Sequence, residues 1–166
     1  MLGTSLPVVA VISESMEHPL GNAWMTSVAH CPRGPCTQEA WYINKNISSE
    51  MFSEFPFKNG FNKGDIMVLV GKKPEKIEIG EVIVFQPYSN NKVSGYPIIH
   101  RVIAKNEENG EIIFETKGDN NPSQIKTLFI DETEIKSSEV LGVAKVRLPY
   151  FGYIKIWFTK LFGVLR

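Results

Sequence analysis

From Asp65 onward, short apolar and β-branched runs alternate with clusters of Gly, Pro and Asn, a pattern of strands rather than long helices. The runs predict strands at Val8–Ser13, Ile66–Val70, Val82–Gln86, Ile98–Ala104, Ile112–Lys117 and Gly142–Arg147. Between the fourth and fifth lies Asn109-Gly110, which predicts a tight hairpin turn because both residues tolerate positive φ. A mainly β, mostly antiparallel domain over residues 8–149 follows. Residues 20–62 break this rhythm with Trp24, Trp41, several prolines and many small polar residues. This stretch reads as an inserted subdomain or long loop, with a short helix near Ser48–Phe55.

Both ends are apolar. Leu2 to Ile12 carries no charge and runs straight into Ser13. Residues 1–13 therefore read either as the outer end of a truncated membrane span entering the first strand, or as a buried strand from Val8 to Ile12. No basic segment precedes the run, which argues against a cleavable leader. At the other end, residues 150–166 place Ile154, Trp157, Phe158, Leu161, Phe162 and Leu165 at helical spacing, with Lys155, Lys160 and Arg166 as the only charges. That pattern suits an amphipathic helix lying on a lipid surface, and the alternative is a terminal helix packed on the domain.

Eighteen basic residues balance eighteen acidic ones, so no global field favours nucleic acid. An apolar content of 43% is enough to build a core. The two cysteines, Cys31 and Cys36, flank a Pro/Gly loop, and outside the cytoplasm they are expected to pair. His30 beside Cys31, with His18 as a distant ligand, invites a zinc reading, but the spacing is not that of a standard site; no metal or cofactor is expected. Asn46-Ile47-Ser48 is a glycosylation sequon, suited to an external loop.

Three strings carry candidate chemistry. Val11-Ile12-Ser13-Glu14-Ser15-Met16-Glu17 ends an apolar strand in two serines, where a hydroxyl can be held rigidly and still face substrate. Ile98-Ile99-His100-Arg101-Val102 sets one histidine among apolar strand residues, His100 alternating with Ile98 and Val102. Lys117-Gly118-Asp119-Asn120-Asn121 is a polar turn, in which Asp119 could orient an imidazole or cap its own backbone.

In this order the strings resemble the serine-histidine branch of the type I signal peptidases, found in archaea and the endoplasmic reticulum. The resemblance runs over residues 8–15 and then 64–153. It includes the Gly-acid strand openings Gly64-Asp65-Ile66-Met67 and Gly80-Glu81-Val82-Ile83, and the closing Pro149-Tyr150-Phe151-Gly152-Tyr153. What it implies is a signal-peptidase-like antiparallel β domain acting by acyl transfer. Ser15 would be the nucleophile, His100 the general base and Asp119 the group fixing the imidazole, with the Ser13 hydroxyl and the Ser15 N–H as oxyanion donors. Substrates would be exported preproteins with A-x-A-type cleavage sites, processed at a membrane on its extracytoplasmic or lumenal face, with accessory subunits possible.

The chain departs from the family pattern in three places. His18 intervenes between the Ser-Met-Glu box and Pro19, and residues 20–62 replace a short connection. Ile125 stands where the family often carries a second aspartate. Asp131 could substitute, Gln124 could orient the ring as a neutral partner, or the site could run as a dyad. Two rivals remain beside the peptidase reading. One is a self-cleaving regulator of the same clan, against which the histidine and the apolar ends argue. The other is a catalytically impaired β module that binds peptides or a membrane partner.

Overall fold

The computed structural model describes residues 3–149 apart from 20, 90, 91 and 94. In chain order its elements are β1 (Val8–Ala10), β2 (Val28–Cys31), β3 (Gly34–Thr37), α1 (Gln38–Ile43), α2 (Ser49–Ser53), β4 (Ile66–Val70), β5 (Val82–Phe85), β6 (Tyr88–Ser89), β7 (Lys92–Val93), β8 (Ile98–Glu108), β9 (Glu111–Lys117), β10 (Ile135–Lys136) and β11 (Val140–Leu148). A seven-stranded antiparallel sheet, ordered β1-β4-β11-β5-β8-β9-β10, forms the body, so the chain is mainly β as its patterning predicts. β2–β3 and β6–β7 are separate two-stranded ribbons.

Turn chemistry sets the longest hairpin. Asn109 and Gly110 take φ of 51° and 81°, the left-handed pair that a two-residue turn between twisted strands requires. Glu108 then faces Glu111, and the ladder runs back to Arg101 opposite Lys117. β8 thus extends four residues past its expected end at Ala104, because the hairpin keeps pairing after the apolar pattern has stopped.

β1 differs from expectation. It ends at Ala10 rather than Ser13, since the next backbone bonds leave the ladder: Val11 N–H donates to Asp65 O and Gly64 N–H donates to Val11 O. Nor is it a buried strand, because it stands at the end of the sheet with Val8 and Ile12 about half exposed.

Two apolar clusters belong to the sheet. One gathers Val11, Met16, Phe61, Met67, Leu69 and Val84; the other gathers Ile83, Phe85, Val102, Phe114, Ile135 and Val143. Residues 21–62 build a third, in which Trp24, Trp41, Tyr42, Ile47 and Phe52 pack against Ile103 of β8. Within it Ser48 caps α2 by accepting the Met51 N–H, and a Cys31–Cys36 disulfide clamps β2 to β3. With both sulfurs so bonded, neither is a thiolate for a metal. The amphipathic helix expected over 150–166 lies outside the described residues. Among the described residues no helix is long and apolar enough to cross a membrane.

Candidate active site

Ser15 sits in the turn that leaves β1. The neighbouring Met16 anchors it, sunk into the core and accepting the Phe61 N–H on its carbonyl. On the other side the turn at 118–121 grips the segment: Asn120 donates its N–H to Ser15 O at 2.8 Å and its side-chain amide to Glu14 O at 3.1 Å. Ser15 is thus held through both flanks while its hydroxyl stays free to face the cleft.

His100 comes from β8, opposite Ile83 of β5, and is buried. Its Nε2 lies 2.9 Å from Ser15 Oγ, and Ser13 Oγ lies 3.0 Å from the same oxygen. With the Ser15 hydroxyl donating to His100, the Ser13 hydroxyl is the donor to Ser15. The three groups open on a cleft of about 340 Å³ walled mainly by Val9, Ile12, Ile98, Ile99 and Ile125. All four residues that the sequence singled out lie in this region, but only Ser13, Ser15 and His100 touch one another.

Asp119 does not reach the imidazole. Its carboxylate accepts Arg101 Nε at 2.9 Å and Nη2 at 2.7 Å, the Tyr42 hydroxyl at 2.9 Å and His18 Nε2 at 3.0 Å. The cause is the residue after His100: Arg101 points away from the cleft and takes the acid as a buried bidentate pair. The carboxylate found on His100 Nδ1 is that of Glu132, from the segment leading into β10. Asp131, one residue earlier, instead caps Thr133 and pairs with Lys126. Gln124 donates to Glu115 and to the Glu132 carbonyl.

This arrangement can be compared with known proteins. No family model matches the chain. Over 100 residues it is 38% identical to the signal peptidase complex catalytic subunit SEC11C of Homo sapiens, covering 58% of this chain and 49% of that one. Against the catalytic subunit SEC11 of Lachancea thermotolerans it is 32% identical over 104 residues, 60% of this chain and 59% of the relative. The Komagataella phaffii SEC11 subunit is 31% identical over 107 residues, 60% of each. Over these residues the chain is similar to signal peptidase catalytic subunits. It spans about half the length of the mammalian relatives it matches.

The polar groups behind the site are buried and bonded to one another, save His18 Nδ1, which meets no hydrogen-bond partner. All five N–H groups of Arg101 are used, two on Asp119 and the others on the carbonyls of Pro56, Gly80 and Phe57. Burial by itself would raise the Asp119 carboxyl, but Arg101 and His18 outweigh it and hold that group well below the usual carboxylate range. Lys117 directs its three donors at Gln38 Oε1, Gly118 O and Asp119 O. Burial, opposed by Asp119 and Glu132, lowers its ammonium to about 7. Tyr42 is pushed well above its ordinary value by burial and by Asp119.

The insertion therefore reaches the site. His18 stacks on Trp24 with ring centroids 3.9 Å apart and turns its Nε2 to the Asp119 carboxylate. Tyr42 and Gln38 of α1 hold Asp119, Lys117 and, through Gln38 Nε2, the Asn121 carbonyl. Sequence reasoning missed Glu132, Tyr42 and Gln38. Nothing near them in the chain marks them, since each meets the site from more than thirty residues away.

Proposed function

We propose that this chain is the catalytic part of a membrane-associated serine endopeptidase that removes signal peptides from exported preproteins, with Ser15 as nucleophile and His100 as general base. The observation that carries the reading is the 2.9 Å approach of Ser15 Oγ to His100 Nε2 at the mouth of an apolar cleft. The names of its relatives support the substrate class, and their place in signal peptidase complexes supports accessory subunits; with exported preproteins as substrates, the reading puts the site on the extracytoplasmic or lumenal face of a membrane.

The steps follow from the geometry. His100 Nε2 takes the Ser15 proton as Oγ bonds to the scissile carbonyl carbon, whose oxygen becomes an anion held by the Ser15 N–H and the Ser13 hydroxyl. Collapse of that adduct breaks the C–N bond, and the proton on His100 leaves with the amine of the mature chain. A water molecule gives a proton to His100 as it attacks the acyl carbon, the acyl–Oγ bond breaks as His100 returns that proton to Ser15 Oγ, and the signal peptide is released as an acid that ionises in solution. β1 stands at the end of the sheet, so an extended substrate can run beside it with alternate side chains entering the apolar cleft, which favours small residues.

The test is cleavage of a precursor with an A-x-A-type site by the protein reconstituted with lipid. Ser15→Ala and His100→Ala are each expected to remove nearly all activity while leaving the thermal melt in place. Undiminished cleavage by either variant overturns the reading.

A further inference from the structure

We propose that Glu132 is the positioning acid of this site, the group that fixes the tautomer and orientation of His100 in place of the acid expected at Asp119 or position 125. The inference rests on the serine-histidine reading above. It names a residue outside the motifs that carry the resemblance to signal peptidases.

The contacts of the carboxylate carry the argument. Oε1 accepts from His100 Nδ1 and from Thr116 Oγ1 at 2.9 Å, while Oε2 accepts the backbone N–H of Ile125 at 2.6 Å. Its own backbone is fixed as well. Thr116 N–H donates to Glu132 O, and Glu132 N–H donates to Ile125 O, each at 2.9 Å. The side chain is fully buried and tied to β9 and to the 124–125 segment, so the imidazole meets a carboxylate with no freedom to swing away.

The chemical consequence is specific. A neutral imidazole has one N–H, and a carboxylate at Nδ1 keeps it there. The Nε2 lone pair is then left facing the Ser15 hydroxyl. When His100 takes the serine proton, its new positive charge appears beside an anion in a dry site, where an unpaired charge is costly. Asp119 cannot serve, because four donors already occupy its two oxygens. Position 125 takes part through its backbone instead: the Ile125 N–H holds Oε2, while its apolar side chain is left to wall the cleft.

Two readouts test this. In nitrogen-15 spectra of the resting protein, His100 is expected to carry its proton on Nδ1 with a far-downfield, charge-assisted N–H signal. Glu132→Gln should move or abolish that signal, and Asp119→Asn should keep it. On the precursor, Glu132→Gln should lower kcat by about 10²- to 10⁴-fold with little change in KM, and Glu132→Asp should recover part of the loss. The inference is overturned if Glu132→Gln keeps wild-type kcat, or keeps the His100 signal unchanged. Should Glu132→Gln fail to fold, Glu132→Asp decides, and wild-type kcat with an unshifted signal counts against the proposal. The spectroscopic arm does not depend on peptidase activity. An active Ser15→Ala variant therefore sinks the serine reading alone, and an active Glu132→Gln beside a dead Ser15→Ala sinks this inference alone.

Discussion

A Cβ placed on Gly118 would stand 2.8 Å from Nε2 of His100, the nitrogen that faces Ser15, and 2.9 Å from the Ser15 carbonyl oxygen. Neither neighbour can yield easily, since the imidazole is wedged between Ser15 and Glu132 and the carbonyl is held by Asn120. Gly118→Ala should therefore push the ring off the serine. Displacements of this order cost about 10²-fold in rate. A kcat reduced by that amount with KM and the thermal melt little changed is the expected result, and unaltered kcat would show that the turn gives way instead.

Ser13 is exposed and bonds only to the Ser15 hydroxyl among the described residues, so its removal should spare the fold. As an oxyanion donor it is worth about 10²- to 10³-fold in kcat. Ser13→Ala should thus impair rather than abolish cleavage, and Ser13→Thr, which keeps the hydroxyl, should restore part of it. Equal activity of Ser13→Ala and wild type across a substrate titration removes Ser13 from the mechanism.

Asp119 should behave as a stability residue. Removing its charge leaves Arg101 buried and unpaired, a loss of about 3–5 kcal/mol for pairs of this kind. Because its folded pKa is lowered, the unfolded chain binds more protons as pH falls, so its stabilisation is full above about 4 and fades in acid. Denaturant midpoints should fall in acid for the wild type and less steeply for Asp119→Asn. Parallel curves for the two proteins would refute the assignment.

Lys117 works in the opposite pH range. Burial lowers its folded value to about 7, below the unfolded value of about 10.4. Between these values the unfolded chain holds the extra proton, so stability contributed through this group rises with pH, by at most about 1.4 kcal/mol per pH unit. In Lys117→Met the alkaline rise should disappear, whatever the change in absolute stability from losing three hydrogen bonds. A rise of equal slope in the variant would place its origin elsewhere.

Local pattern alone makes part of this molecule readable. β4 occupies the predicted residues, Ile66–Val70, because β-branched runs bounded by Gly and charged residues have few alternatives to a strand. The β8–β9 hairpin follows from Asn109-Gly110, whose positive φ is a property of the dipeptide itself. Ser15 and His100, picked out in the sequence through the order of their motifs, do lie within hydrogen-bond reach.

Which acid faces His100 could not be read this way. Asp119, two residues past β9, is the obvious candidate in the chain, yet Arg101, His18 and the insertion residue Tyr42 draw it to the far side of the turn. Glu132 arrives from the other direction because residues 125 and 132 pair through their backbones and fold the carboxylate under β8. Its neighbour Asp131, also a carboxylate but one methylene shorter, points to Lys126 and Thr133. Periodicity, turn chemistry and motif order were enough for β4, β5, β8, β9 and β11, for the hairpin, and for the serine and histidine that meet, but not for the end of β1 or for the short strands β2, β3, β6, β7 and β10. The partner of the imidazole is settled only in the folded chain, because it depends on long-range competition among buried donors, and a one-residue step along a segment sends a carboxylate to core or to solvent.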